Sequence, residues 1–247
     1  YIFPASVTPV WILLQPRDYL NSFFLYALMI LGFVGVFFAA PSINLPAFST
    51  FSLEKVGYLF PALFVTVACG SISGFHSLVA SGTTAKQLNK ETDGKIIGYG
   101  GMLIEGLLAI LSLVAVASMV NKEFIDLLVN KGPVPAFSLG VGRFINAIPL
   151  LNISIPLAQT FTALAVSAFA LTSLDTATRL ARFMFQEYFE TKDQPEKKSI
   201  FQNRFVATAI TVVFGAALTF SGQTMSIWPV FGSANQLLAA LALLALT

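Results

Sequence analysis

The chain has 247 residues, of which 56% are hydrophobic and 11% are charged, and its mean hydropathy is +0.78. Soluble domains carry about 25% charged residues, so this composition excludes an ordinary soluble protein and indicates a membrane protein. The net charge of +2 excludes a nucleic-acid-binding surface, and the single cysteine, Cys69, excludes a disulfide framework.

Apolar stretches long enough to cross a membrane recur along the whole chain. A transmembrane helix needs about 20 mostly apolar residues, so these stretches predict an all-α, polytopic integral membrane protein. The predicted spans, taken as one transmembrane domain over residues 1–247, are 1–15, 21–40, 57–81, 96–119, 155–180, 204–221 and 228–247. Because the chain begins and ends inside apolar runs, we expect it to be an internal fragment of a longer protein.

The lysines and arginines predict which ends of the spans face the cytoplasm. If Arg17 lies inside, the inner side carries ten basic residues and the outer side four, which satisfies the positive-inside rule. The inner residues are Arg17, Lys86, Lys90, Lys95, Arg179, Arg182, Lys192, Lys197, Lys198 and Arg204, and the outer ones are Lys55, Lys122, Lys131 and Arg143. The 57–81 span then runs from outside to inside. The connector 120–154 lies outside, and it is too polar to span but long enough for short interfacial helices.

Polar and helix-breaking residues interrupt the 57–81 span. Residues 69–84 read CGSISGFHSLVASGTT and include three glycines, several hydroxyls and the only histidine, His76. An unwound peptide group in hydrocarbon costs several kcal/mol unless protein or water satisfies it. A broken helix at membrane depth is therefore typical of a solute or ion site in a transporter.

Two titratable residues of the spans are candidates for carrying a proton. Glu105 lies about 14 Å inside the 96–119 span, near the middle of a hydrocarbon core about 30 Å thick. A charge there is costly, so a carboxyl that alternates between protonated and charged is suited to proton coupling. The alternative is a Glu105 that hydrogen-bonds a neighbouring helix. His76 likewise either carries a proton or forms a hydrogen bond with a neighbouring helix. A metal site is not expected there, because no second histidine or cysteine pair accompanies it.

The segment 171–182, LTSLDTATRLAR, concentrates polar groups on one helix. Asp175 and Arg179 are four residues apart, so they can pair within the helix. Asp175 is therefore either a third candidate for proton coupling or part of an interfacial ion pair that anchors the helix end. Thr172 and Ser173 lie deeper and offer hard oxygen ligands of the type that suits a sodium ion.

Two further segments contain residues that affect helix packing or helix continuity. Gly98, Gly100, Gly101 and Gly106 predict the close approach of another helix. The segment 227–241, IWPVFGSANQLLAAL, combines a proline, a glycine and two side-chain amides, so helix continuity is doubtful there.

Four segments stand out together, in the order CGSISGFHSLVASGTTAKQL, IGYGGMLIEGLLAI, SLDTATRLARFM and WPVFGSANQLLAAL. With VWILLQPRDYL upstream, they resemble the carbon starvation protein A family of bacterial inner-membrane carriers. The resemblance covers nearly the whole chain and implies uptake of peptides or pyruvate, driven by a proton or sodium gradient. The chain departs from longer family members in its outer connector, 120–154, which is much shorter.

A more distant likeness implies a fold. ALTSLDTATRLA is similar to the eighth core helix of the betaine and choline carriers, whose adjacent Thr and Ser bind sodium. GFHSLVASGTTAKQL is similar to the cytoplasmic half of their sixth, broken helix. The likeness implies a five-plus-five inverted-repeat fold, of which this chain holds mainly the second repeat. By that analogy Thr172 and Ser173 bind sodium, and the break faces the substrate through Cys69, Gly70, Ser71, Ser73 and Gly74.

These features predict a secondary active transporter of the bacterial inner membrane that imports small carboxylate nutrients by alternating access. The backbone at Cys69 to Gly74 would grip the substrate carboxylate. A proton on Glu105, His76 or Asp175, or a sodium ion on the Thr172 and Ser173 pair, would drive uptake without any other cofactor.

The alternative is a membrane-embedded nutrient sensor that binds the same solute without moving it. The sequence contains no Ser/His/Asp or paired-acid arrangement at a common depth, so no enzyme activity is expected. The expected partners are the small-molecule substrate and the lipid bilayer, and the pattern does not predict an oligomeric state.

Overall fold

A computed structural model of the protein describes residues 1–48, 51–53, 57–190, 200–222 and 224–247. Lys55, Lys192, Lys197 and Lys198, which entered the charge count, lie outside these residues. The α-helices are α1 (Ile2–Val7), α2 (Val10–Ala39), α3 (Phe64–Ser71), α4 (Gly74–Val79), α5 (Glu91–Ala117), α6 (Asn121–Lys131), α7 (Pro133–Asn146), α8 (Ile155–Tyr188), α9 (Arg204–Phe220) and α10 (Thr224–Leu246). Two-residue strands, β1 (Ser52–Leu53) and β2 (Gly57–Tyr58), pair antiparallel. Apart from this small ladder, the regular structure of the described residues is helical, so the predicted all-α class is confirmed.

Within the described residues three helices, α2, α5 and α8, have the length and apolar composition needed to cross a membrane. The predicted spans 21–40, 96–119 and 155–180 coincide with them. α9 and the later part of α10 are shorter apolar helices. Large apolar side chains are exposed on several of these helices, for example Phe37 at 85% and Leu244 at 72%. Lipid accepts such a surface, whereas water does not.

The N-terminal part of the chain differs from the predicted pair of spans 1–15 and 21–40. In the structure a short α1 is followed by one 30-residue helix, α2, which continues through Pro16. A proline removes one helical hydrogen bond and bends a helix, but it need not end it. At 1.5 Å per residue α2 is about 45 Å long, so the polar residues Gln15, Arg17 and Asp18 in its first half can lie outside a hydrocarbon layer about 30 Å thick.

The described residues divide into two compact units, and each is described by itself. Unit 1 comprises Tyr1–Leu13, Ser49–Gly94 and Ser173–Thr247, and unit 2 comprises Leu14–Phe48 and Lys95–Thr172. The single transmembrane domain over residues 1–247 stays a prediction.

The core of unit 2 forms around α7, which lies in the connector 120–154, the segment expected at the outer surface. The connector does contain two short helices, α6 and α7. α7, however, is buried along much of its length. The side chains of Val141, Phe144 and Ile145, for example, are at most 2% exposed. These side chains pack with residues of α2, α5 and α8 in one cluster, which also contains Leu28, Leu111, Ala115, Ala158 and Ala165. α7 is therefore a core helix of unit 2 as well as a part of the connector.

Close helix contacts in unit 2 occur at glycines of α2 and α7. A Cβ atom on Gly35 would lie 2.4 Å from the carbonyl oxygen of Phe144, and one on Gly140 would lie 2.8 Å from that of Ala115. The contact predicted at the α5 glycines was wrong within the described residues, since an added Cβ there would meet no atom within 4 Å. Those glycines are Gly98, Gly100, Gly101 and Gly106.

An ion pair and a glycine turn connect α6 to α7. The Arg143 guanidinium donates to both carboxylate oxygens of Glu123, with Nη1 3.0 Å from Oε2. Gly132 between the helices has φ +88°, a value that favours glycine, and Pro133 starts α7. Bidentate geometry makes this pair stronger than a single surface contact.

We expect Gly35→Ala to lower the stability of the protein, because its methyl group would overlap the backbone of Phe144. Overpacking of this kind costs about 1–3 kcal/mol. The matched control is Gly98→Ala in α5, where the added methyl meets open space and alanine is the better helix former. Thermal unfolding in detergent, followed by circular dichroism, should show a lower midpoint for Gly35→Ala alone. Equal midpoints for the two variants would contradict the packing described for α2 and α7.

Candidate substrate and coupling site

The predicted broken helix is present as α3 and α4, which Ile72 and Ser73 separate. The backbone of Ser73 is extended, with φ −120° and ψ 134°. Serine side chains compete for backbone hydrogen bonds and glycine has a low helix propensity, which explains why the helix ends in the sequence SISG. The interruption predicted within residues 69–84 is therefore confirmed.

A side chain of α10, Asn235, connects the two sides of the break. Its Nδ2 donates to the Sγ of Cys69 and to the hydroxyl of Ser73, both at 3.0 Å. Its Oδ1 accepts a hydrogen bond from the backbone N–H of Phe75 at 2.7 Å. Asn235 is 6% exposed. One buried amide therefore contacts the last turn of α3, the break itself and the first turn of α4.

Glycine at position 74 lets the backbone of α10 lie against the start of α4. A Cβ atom there would be 2.4 Å from the carbonyl oxygen of Asn235 and 2.9 Å from the amide nitrogen of Ala239. α10 itself is continuous from Thr224 to Leu246, so the doubt about helix continuity over residues 227–241 was wrong. Asn235, a polar residue of that segment, forms hydrogen bonds with the broken helix and does not interrupt α10.

The five predicted substrate residues differ in their exposure. Ser73 and Gly74 are buried and face α10, and Cys69 is half-buried beside Asn235. Gly70 and Ser71 are exposed, and a Cβ on Gly70 would meet no atom within 4 Å in the described part of the chain. Of the five predicted residues, Gly70 and Ser71 are therefore the exposed ones, and Ile72 beside them is exposed as well. The role of all five in binding substrate stays a prediction.

His76 lies on α4, one residue after Phe75, and its side chain is exposed. Its imidazole forms no hydrogen bond or ion pair with any residue that the structure describes. After α4 the helix changes character again, with a π-helical turn at Ala80–Thr84 and a 3-10 turn at Ala85–Gln87. His76 therefore lies between two irregular segments, the break at Ile72 and Ser73 and the π-helical turn.

Glu105 lies on α5 in unit 2 and borders a mostly apolar cavity of about 520 Å³. Residues of α5, α6, α7 and α8 line this cavity, among them Phe124, Phe137 and Phe169. The Glu105 side chain is exposed and makes no hydrogen bond or ion pair within the described residues. It is therefore not the helix-locking carboxyl of the alternative interpretation in the described part of the chain. Its role in proton coupling stays a prediction.

The two predicted sodium ligands are neighbours on α8 with different surroundings. Thr172 accepts a hydrogen bond from the Nδ2 of Asn21 at 3.0 Å, and its own hydroxyl donates to the carbonyl of Ala168 at 3.2 Å. Asn21 lies on α2 and was not among the predicted residues. Ser173 is exposed. The oxygen atoms at this point are the Thr172 hydroxyl and the Ala168 carbonyl, the type of ligand that suits a hard cation, and Asn21 donates hydrogen bonds to both through its Nδ2.

Asp175 is fully buried on α8 in unit 1. The alternative interpretation, an ion pair with Arg179, is not what the described residues form, because Arg179 Nη2 donates to the carbonyls of Ala5 at 2.7 Å and Thr8 at 2.6 Å. One turn later, Arg182 Nη1 donates to the carbonyl of Ser6 at 2.7 Å. The final carbonyls of a helix lack intrahelical donors and attract cations, which explains why the arginines turn to the end of α1.

Comparison with known proteins identifies the family. The sequence model described as Carbon starvation protein CstA matches residues 1–131 and 126–247. The chain belongs to this family. It is 33% identical over 99% of its length to the peptide transporter CstA of Bacillus subtilis, of which it covers 46%. It is 31% identical to the peptide transporter CstA of Helicobacter pylori and 29% identical to the pyruvate/proton symporter BtsT of Escherichia coli, covering 44% of each.

The CstA-family chain thus spans less than half the length of these curated relatives, and no solved structure matches it. The alignments extend over 277 to 320 residues, more than the 247 of this chain, so the relatives carry extra residues within the matched region. The two matches to the family meet at residues 126–131, inside the 120–154 connector. This agrees with the expected shortening of that connector.

Sequence reasoning missed Asn21 and the partner of Asn235. The predicted site residues are divided between the two units. Unit 1 contains Cys69 to Gly74, His76, Ser173 and Asp175, and unit 2 contains Glu105 and Thr172. An intramembrane asparagine is a visible sequence signal, since polar side chains in spans are rare and usually bonded. Its partner is not visible, because the partner comes from a distant helix.

We expect Arg179→Gln to destabilise the CstA-family chain by roughly 1.5–3 kcal/mol, the contribution of hydrogen bonds from a charged donor. The variant removes the donor that the carbonyls of Ala5 and Thr8 share. The control is Lys90→Gln, which removes the same charge from an exposed residue of the predicted cytoplasmic side. Thermal unfolding in detergent measures the difference. A midpoint for Arg179→Gln as high as that of the control would show that these bonds add nothing to stability.

Proposed function

We propose that the protein is a secondary active transporter that imports small carboxylate nutrients, peptides or pyruvate, by alternating access. The observation that carries the proposal is the break between α3 and α4 in an apolar chain, because irregular backbone in a membrane is found where it lines a binding cavity. Membership of a family whose named relatives are peptide transporters and a pyruvate/proton symporter supports it. On this proposal the protein is not an enzyme, and it crosses the bacterial inner membrane several times.

The substrate carboxylate would bind at the break, through Cys69, Gly70, Ser71, Ser73 and Gly74. Gly70 and Ser71 are the exposed members of this segment, which supports their direct contact with substrate. The fold would be the five-plus-five inverted repeat, with this chain forming mainly the second repeat. A second glycine-interrupted span about five helices upstream of residue 57 would support that fold, and a longer sequence without one would contradict it.

Two coupling schemes follow from the side chains. A proton would be carried by Glu105, His76 or Asp175. Glu105 is the strongest candidate, because it borders an apolar cavity and has no partner within the described chain. Alternatively, a sodium ion would bind at Thr172 and Ser173, where Asn21 and the carbonyl of Ala168 add polar groups.

In the proton scheme, we expect Glu105→Gln to abolish most uptake driven by a pH gradient, because glutamine cannot release a proton. The measurement is accumulation of labelled pyruvate or dipeptide by proteoliposomes with an imposed gradient. The matched control is Glu91→Gln, in the first turn of the same helix but outside the predicted span. Unchanged uptake by Glu105→Gln, together with a strict need for sodium, would contradict proton coupling through Glu105. Binding without accumulation against a gradient would identify a sensor instead.

In the sodium scheme, we expect Thr172→Val to raise the sodium concentration for half-maximal uptake at least about tenfold, the effect of losing about 1.4 kcal/mol of ligand binding. The substitution keeps the shape of the side chain and removes its oxygen. Ser167→Ala is the control, since Ser167 is an exposed hydroxyl on the same helix that bonds only to the carbonyl of Ala163. A sodium dependence that Thr172→Val leaves unchanged would place the ion elsewhere.

A further inference from the structure

The start of α4 takes a hydrogen-bond acceptor from another helix. The first amides of any helix lack intrahelical acceptors, and α4 begins directly after an extended residue. The Phe75 N–H is bonded to Asn235 Oδ1 at 2.7 Å. The next amide, that of His76, has no hydrogen bond within the described residues. Of these two neighbouring amides, the first therefore has an acceptor in the Asn235 side chain and the second has none within the described residues.

Asn235 also fixes the other side of the break. Its Nδ2 bonds to Cys69 in α3 and to Ser73 between the helices. Because Asn235 is 6% exposed, water has little access to replace these bonds. The close contact at Gly74 keeps α10 near enough for all of them. The direction of α4 relative to α3 is thus set by one side chain that lies 160 residues after Phe75.

We propose that Asn235 is a positioning residue for the substrate-binding segment. It touches no substrate itself, but it holds residues 69–75 in the geometry that binds substrate. This inference rests on the proposed function for its consequence in transport. Its structural part, the bond from Asn235 to the Phe75 amide, can be tested separately.

Residue-resolved hydrogen–deuterium exchange on the protein in lipid nanodiscs tests the structural part. In the wild type, the Phe75 amide should exchange about tenfold more slowly than the His76 amide, the protection that about 1.4 kcal/mol of bonding gives. Asn235→Ala should remove this difference. Asn235→Asp should retain it, because aspartate keeps an acceptor oxygen at the same position.

Gln236→Ala is the matched control. Gln236 is the next residue of α10 and makes a longer contact to α3, with Nε2 3.5 Å from the carbonyl of Val65. It should leave the exchange of Phe75 unchanged. If the Asn235→Ala protein does not fold, the wild type alone decides, since equal exchange rates for Phe75 and His76 would overturn the proposal.

Uptake kinetics test the positioning role. Asn235→Ala should raise the KM for labelled pyruvate or dipeptide about tenfold and change the maximal rate much less. The reason is that the binding segment of this variant is no longer held in place before the substrate binds. Asn235→Asp keeps the acceptor for Phe75 but lacks the amide donor to Cys69 and Ser73, so its KM should fall clearly below that of Asn235→Ala without reaching the wild-type value. An unchanged KM with lost Phe75 protection would reduce Asn235 to a purely structural residue and overturn the proposal. A wild type that takes up neither substrate would refute the proposed function, while the exchange data still decide on the bond.

Discussion

A peptide group taken out of a helix in apolar surroundings needs a new hydrogen-bond partner. In unit 1 the amide of Phe75 finds this partner in Asn235, and the same side chain reaches back to Cys69. α3, the break and α4 therefore keep a defined arrangement only while α10 lies against them. Gly74 makes this possible, because any larger residue would meet the α10 backbone. Every function assigned to the break depends on that contact.

The charged groups of the chain separate into those that have structural partners and those that do not. Arg179 and Arg182 are buried, and carbonyls of α1 accept their hydrogen bonds, so these positive charges help to hold the end of α1. Glu105 and His76, in contrast, have no polar partner in the part of the chain that the structure covers. A side chain without a structural task is a better candidate for exchanging a proton, and this contrast favours Glu105 and His76 as the groups to investigate.

Local features of the sequence predicted the local features of the fold. Apolar length predicted most of α2 and of α5, and the SISG segment predicted the break, because both depend on properties of neighbouring residues. Tertiary contacts were not predictable in this way. Sequence spacing gave Arg179 a partner four residues away, but the carbonyls of a short distant helix compete for the same donor. Glycines on α5 and α7 look equivalent in the sequence, yet only those of α7 contact another backbone in the described structure.

The turn between α6 and α7 joins an exposed helix to a buried one. The two family matches meet at the end of α6, whose residues are largely exposed, just before Gly132. α7, which follows at once, is packed into the centre of unit 2. Extra residues inserted at this turn would extend outward from an exposed loop and leave the packing of α7 intact. The segment around Gly132 can therefore change in length with little effect on the packing of α7.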